Sequence, residues 1–271
     1  MPELPEVETI KNQLLTEFSN CEVQVFESRT LHLIKKAPTL KSLNTSLSGQ
    51  RIRDIKRYGK FLLFEFDRAV LRIHLGMSGR MRIIEPSKYL EFKHIHLTIK
   101  FKNGLTLAYI DPRRFGSIEV VNPDFKIPPK LGPDALDLKL GNKLLSSQKL
   151  KSSVPIKLKL LDQSLVAGIG NIYSDEILYR SHLSPLRKAT SLSGDEILYL
   201  TKNIRKVLKQ AIRQSGSTLQ DGGYVDLYGA NGKFQNYHLI HAKSTCTACQ
   251  SHVSRVKLGG RSCYYCSMCQ H

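Results

Sequence analysis

Three things are scarce in this chain of 271 residues: long apolar runs, cysteines before residue 246, and acidic side chains. No apolar run approaches the roughly 18 residues that a membrane span needs, which excludes a transmembrane reading. The start has no basic segment leading into an apolar stretch and a small-residue cleavage site, which excludes a secretory signal. These absences imply a soluble, cytoplasmic protein with no membrane partner. Apart from Cys21, cysteine is confined to Cys246, Cys249, Cys263, Cys266 and Cys269. A disulfide framework spread along the chain is thereby excluded, and five crowded thiols without a signal peptide point to a metal. The third shortage is the most informative: 23 Asp and Glu face 41 Lys and Arg, leaving a net charge of +18. Such an excess suits a polyanion, because each phosphate neutralised releases condensed counterions. Nucleic acid is the leading partner; a surface charged only for solubility is the alternative.

What is present is a globular composition, 41% hydrophobic and 24% charged, in a chain long enough for more than one core. In "LPEVETIKNQLLTEF", Val7, Ile10, Leu14 and Phe18 fall at helical spacing. From about residue 21 to 121 the pattern is that of strands, with Asn103-Gly104 as a hairpin turn. Residues 122–149 gather Pro123, Pro128, Pro129, Pro133, Gly132 and Gly141 and read as a linker. A helical period returns in "SGDEILYLTKNIRKVLKQAIRQSG", where Ser193 and Glu196 have capping-box spacing and Ile197, Leu200, Ile204, Val207, Leu208 and Ala211 share one face. The lysines and arginines opposite are read as a solvated face before a DNA contact. From Gly216 to about Lys243 the sequence has no clear period and reads as a long loop, the kind that is often functional. No internal repeat is present.

Several motifs carry chemistry. Cys246-x2-Cys249 and Cys266-x2-Cys269 are two knuckles suited to one tetrahedral Zn2+. Cys263 to Cys266 is also a CxxC pair and His271 is a further possible donor; Cys266 with Cys269 is preferred. "VAGIGNIYSDEIL" joins a small-residue turn to a helix, where backbone N–H groups and Asn171 would suit a phosphate oxygen. "IHLGMSGR" and "DPRRFG" hold Met77, Arg113, Arg114 and Phe115 among glycines and a proline, as though on turns. An apolar wedge with an arginine is how proteins unstack a duplex step, although Met77 and Phe115, each taken alone, would sooner be read as ordinary core residues. The opening "MPELPEVET" has one proline more than a helix start requires: Pro5 can open the helix, leaving Pro2 beside Glu3 and Glu6.

"PELPEVE", "YGKFLLFEF", "HLGMSGR", "DPRRFG", "LLDQSLVAGIGNIYSDEIL" and the paired CxxC motifs, in that order along nearly the whole chain, resemble the bacterial formamidopyrimidine-DNA glycosylases. The resemblance implies an α+β multidomain fold: an N-terminal catalytic β-sandwich preceded by a helix (1–130), a linker (131–150), a helix-two-turn-helix domain (151–240) with a lesion-recognition loop at about 217–235, and a C-terminal β-hairpin zinc finger (241–271). It implies a bacterial enzyme of the nucleoid that binds double-stranded DNA containing oxidised bases, excises oxidised purines and then cuts the strand by β,δ-elimination; a monomer is expected, because a lesion in one strand is an asymmetric target. One structural Zn2+ per chain is implied on Cys246, Cys249, Cys266 and Cys269. Motif by motif, Pro2 becomes the nucleophile once Met1 is removed, Glu3 the general acid/base and Lys60 a phosphate-binding lysine beside the reacting sugar. Glu6 would position the extruded nucleotide, while Met77, Arg113 and Phe115 fill the gap it leaves. His74, His94, Arg114, Asn171 and Arg261 would contact the DNA. The chain departs from the family in "LIHAKSTC", before its first finger cysteine, and in "CYYC", which creates Cys263. Two other readings stand beside this one: the same chemistry on oxidised pyrimidines, as in the endonuclease VIII branch, and a zinc-ribbon nucleic-acid-binding protein without catalysis.

Overall fold

A computed structural model describes residues 1–85, 91–148, 150–219 and 223–271. The chain forms two units, Met1–Pro129 with Gln214–Lys233, and Lys130–Arg213 with Phe234–His271. Among the described residues, no helix is long and apolar enough to cross a membrane.

The first unit opens with α1 (Leu4–Phe18), in which Pro5 occupies the first turn, where a missing N–H breaks no helical hydrogen bond. The stripe read from the sequence, Val7, Ile10, Leu14 and Phe18, is fully buried. Then come β1 (Val23–Glu27), α2 (Leu40–Leu47), β2 (Asp54–Tyr58), β3 (Phe61–Glu65), β4 (Val70–His74), β5 (Arg80–Ile83), β6 (Ile95–Phe101), β7 (Thr106–Ile110) and β8 (Ser117–Val121). They make two antiparallel four-stranded sheets, ordered β1-β6-β7-β5 and β2-β3-β4-β8. The β6–β7 connection turns at Asn103-Gly104, as the sequence implied. Both sheets contribute to one core with α1, through residues such as Phe26, Phe64, Ile73, Leu107 and Ile118. Phe18 meets Phe101 there with ring centroids 4.7 Å apart. Each such side chain contributes roughly 1.5–3 kcal/mol by leaving water, so the stripe on α1 suffices to seat the chain's first residues on the sandwich.

The loop expected within the helical domain belongs largely to this first unit. Tyr224 and Leu227 join the sandwich core, and the Gln13 side chain of α1 grips the segment: Nε2 donates to Asp226 Oδ2 at 2.8 Å and Oε1 accepts from Leu227 N at 3.0 Å. No local period announces this, because the contacts that decide it lie about 200 residues apart. Residues 220–222 of the expected loop lie outside the described residues.

The second unit contains α3 (Leu140–Leu145), α4 (Ile156–Leu161), α5 (Asn171–Arg180), α6 (Gly194–Arg213), β9 (Ser254–Leu258) and β10 (Arg261–Tyr265). The expected linker at 131–150 is instead part of this unit: Ala135, Leu140 and Leu144 are buried and α3 packs on α6. The i, i+4 pair Leu140 and Leu144 supplies an apolar face that must find a partner. The capping box of α6 forms as read, with Ser193 N donating to Glu196 Oε2 at 2.8 Å and Glu196 N to Ser193 Oγ at 3.2 Å. The strands β9 and β10 pair as an antiparallel hairpin closed by Gly259-Gly260.

Candidate active site and cysteine cluster

Met1 is 37% exposed, whereas Pro2, Glu3 and Glu6 behind it are buried. Two carboxylates in a buried position require donors, and the start of α1 provides them. Glu6 Oε2 accepts from the Glu3 backbone N–H at 2.8 Å, and the Glu3 carboxylate faces the Glu6 N–H in the reciprocal half of a capping box. Glu6 Oε1 accepts from Ser217 N at 2.7 Å, tying the helix start to the returning segment. Gly216 allows that approach: its φ is +76°, and a Cβ there would lie 2.5 Å from Glu6 Oε1.

Lys60, 8% exposed, sits in the β2–β3 turn. Arg57 anchors this turn to α1, with Nε donating to Glu8 Oε2 at 2.6 Å and a terminal nitrogen to the Gly59 carbonyl at 2.9 Å. Phe61, next in sequence, pairs across the sheet with His74, their rings 4.7 Å apart. Burial, with the Lys60 charge adding to it, pushes His74 down to about 4. The ring is therefore neutral near pH 7, and because Nδ1 accepts from Gly76 N at 3.1 Å, its hydrogen is assigned to Nε2. His74 can thus offer a neutral N–H donor.

The "HLGMSGR" and "DPRRFG" turns lie back to back. Gly76 has φ +62°, and a Cβ on it would stand 2.5 Å from the Phe115 carbonyl carbon, so only glycine permits the contact. Met77 and Phe115 are 41% and 46% exposed, which removes the core reading for both. The Arg113 guanidinium lies 4.8 Å from the Phe115 ring centroid, a cation–π contact that groups these two exposed side chains. Arg114 is exposed in the left-handed region at φ +57°. His94, also left-handed and exposed, accepts through its carbonyl from Asp111 N at 3.1 Å, which places it beside the same turn.

In the second unit Asn171 begins α5, and Arg261 begins β10 in an exposed position. Their elements meet where Asn171 Nδ2 donates to the Ser262 carbonyl at 2.9 Å. The amide read from the sequence as a phosphate donor thus commits a hydrogen to the hairpin, and the backbone of the hairpin explains why. Four thiols converge below it: the Sγ atoms of Cys246, Cys249, Cys266 and Cys269 all lie within 4.8 Å of one another. Cys246 and Cys269 are 3.8 Å apart and Cys249 and Cys266 3.5 Å. Thiolates at about 2.3 Å from one tetrahedral ion would be about 3.8 Å apart, so the cluster fits Zn2+. Hydroxyls already face the sulfurs, with Tyr179 Oη 3.2 Å from Cys246 and Ser251 Oγ 2.9 Å from Cys249. Cys263 is not in the cluster; it is buried, and burial followed by the Asp175 charge pushes its thiol up to about 12.

The profile of the formamidopyrimidine-DNA glycosylase N-terminal domain matches residues 1–118, and that of the family's H2TH domain matches residues 131–222. The formamidopyrimidine-DNA glycosylase of Oceanobacillus iheyensis is 36% identical over 100% of this chain and 98% of its own length. The chain belongs to the formamidopyrimidine-DNA glycosylase family. Among solved structures, the Lactococcus lactis family member in complex with DNA containing an abasic site superposes with a TM-score of 0.87 at 33% identity, covering 99% of each chain. The Thermus thermophilus MutM (Fpg) protein gives 0.86 at 36% identity, covering 99% of this chain and 98% of that one.

Three acidic residues of this family member were not singled out in the sequence. Asp111 is fully buried beneath the turns that carry Met77 and Phe115. Asp175, in "IYSDEIL", joins Lys157 Nζ through Oδ1 at 2.5 Å and His241 Nδ1 through Oδ2 at 2.7 Å, while Lys157 also donates to the Ser262 carbonyl at 3.2 Å. Its neighbour Glu176 accepts from the backbone N–H groups of Leu239, Ile240 and His241. Together they fasten the divergent "LIHAKSTC" approach to α5. Two adjacent acids in a helical run were the available signal, but the partners of Asp175 are 18 and 66 residues away and the backbone donors to Glu176 63 to 65.

Proposed function

We propose that this DNA glycosylase excises oxidised purines, including 8-oxoguanine and formamidopyrimidines, and cleaves the resulting abasic strand through a Schiff base on Pro2. Removal of Met1 would convert Pro2 from a tertiary amide into a secondary amine. An α-amine titrates near 8 against roughly 10.4 for lysine, so about 10% is neutral at pH 7, some two hundred times the lysine fraction. The adjoining helix N-terminus disfavours the ammonium further. The amine lone pair attacks C1′ and the glycosidic bond breaks, its electron pair leaving with the base. Opening of the sugar at O4′, with a proton supplied through Glu3, yields an iminium. This cation withdraws electrons from C2′; loss of a C2′ proton expels the 3′ phosphate, a second elimination expels the 5′ phosphate, and water releases Pro2.

Glu6 holds the start of the helix against the returning segment and positions the extruded nucleotide. Lys60 and His74 take the phosphates by the sugar, while His94, Arg114, Asn171 and Arg261 take further backbone contacts. Met77, Arg113 and Phe115 fill the gap in the duplex. Cys246, Cys249, Cys266 and Cys269 hold one structural Zn2+, which supports the hairpin bearing Arg261. The net charge of +18 supports a double-stranded DNA partner, as do relatives crystallised with damaged DNA. A lesion in one strand is an asymmetric target and suits a monomer.

The observation that carries this reading is the buried group of Pro2, Glu3 and Glu6, with both acids supplied with donors at a helix start. A purely DNA-binding protein has no use for that arrangement. Excision from duplexes carrying 8-oxoguanine, formamidopyrimidine, thymine glycol or 5-hydroxyuracil tests it. Faster release of the two purine lesions is expected; preferential release of the pyrimidines would move the protein to the endonuclease VIII type, and binding without release would remove catalysis.

A further inference from the structure

Beneath the wedge residues lies a carboxylate with no solvent access: Asp111 is 0% exposed. Every polar atom of this residue is engaged. Oδ1 accepts from Ser78 Oγ at 2.6 Å; Oδ2 accepts from Gly116 N at 2.9 Å and from Tyr109 Oη at 3.1 Å. Burial, with the Asp111 charge adding to it, raises the Tyr109 phenol above its ordinary range, so it remains a donor. The backbone N–H donates to His94 O, and the carbonyl accepts from Arg114 N at 3.1 Å and from His96 Nε2 at 3.1 Å. Ser78 Oγ in turn accepts from Arg113 N at 3.2 Å.

These bonds reach the neighbour of each wedge residue, or the residue itself. Ser78 follows Met77, Gly116 follows Phe115, and the Arg113 backbone is held through Ser78. We propose that Asp111 is the positioning residue that locks both wedge turns into one rigid unit, so that Met77, Arg113 and Phe115 enter the duplex together. The inference rests on the wedge role assigned above. Being fully buried, Asp111 touches no substrate; its effect is on where three other side chains stand. An amide in its place offers one acceptor oxygen for three donors and turns an NH2 group toward at least one of them. A displacement of about 1 Å at a positioning group can cost on the order of a hundredfold in rate.

The test compares the full-length protein with Asp111→Asn and Ser78→Ala on two duplexes, one with 8-oxoguanine opposite cytosine and one with a preformed abasic site. An abasic nucleotide has no base to unstack, so its cleavage leans less on the wedge than base excision does. The ratio of excision to abasic cleavage should fall about tenfold or more in Asp111→Asn and about threefold in Ser78→Ala, which loses the bonds to Asp111 Oδ1 and from Arg113 N but leaves those of Asp111 Oδ2 to Gly116 and Tyr109 in place. Equal losses on both duplexes, or an unchanged ratio, would overturn the positioning role. If Asp111→Asn fails to fold, Ser78→Ala alone decides by the same ratio. Wild-type protein inert on both duplexes would instead overturn the underlying glycosylase reading, and this inference with it.

Discussion

At the scale of single residues, the candidate site is a set of polar groups each held by a specific partner, and His74 shows the consequence most directly. A histidine in an unfolded chain titrates near 6.5, whereas burial and the Lys60 charge hold His74 at about 4. Between these values the unfolded chain carries a proton that the folded chain does not. Stability from this group is therefore complete above about pH 6.5 and is lost as the pH falls toward 4. Allowing for the exposed edge of the ring, the contribution is on the order of 2 kcal/mol. Urea denaturation at pH 7 and at pH 4.5 should show a smaller loss of stability on acidification in His74→Gln than in the wild type. Equal losses would show that His74 does not titrate in that window. The sequence made His74 a candidate only through the resemblance carried by "HLGMSGR". Its neutral state depends on Lys60 and Phe61, which the β3–β4 register places beside it, and register is not written in a local pattern.

At the scale of elements, what was legible was what a period or a cap announces. The stripe on α1, the capping box of α6 and the Asn103-Gly104 turn all depend on residues a few positions apart, and all form as read. The two CxxC knuckles belong to the same class, since each is local and only their convergence is long-range. What was not legible depended on distant partners. Leu227 decides that the returning segment belongs with the sandwich, Leu140 and Leu144 turn an expected linker into packed structure, and Asp111 and Asp175 find partners across sheet or helix. The β9–β10 hairpin has few buried residues of its own, so it should depend on the metal as small modules commonly do. Elemental analysis should find one zinc per chain in the wild type and in Cys263→Ser, and none in Cys269→Ser. Zinc lost from Cys263→Ser and retained in Cys269→Ser would show that the ligand set is wrong.

At the scale of the whole molecule, an excess of 18 positive charges gives sequence-independent attraction to DNA, and the two units divide the remaining work. The first holds the start of the chain, the buried acids and the turns bearing Met77 and Phe115; the second holds most of the H2TH region and the thiol cluster. Charge and thiols alone would serve a binding protein. The central claim is that the N-terminal proline turns binding into strand cleavage, and it requires that Met1 be absent from the working enzyme. Borohydride reduction during reaction with an 8-oxoguanine duplex, followed by mass mapping of the trapped peptide, tests it most directly. The account predicts protein lacking Met1 and a covalent DNA adduct on the Pro2 nitrogen, lost in Pro2→Gly. An adduct on a lysine instead, or Met1 retained in protein that still cleaves the strand, would contradict it.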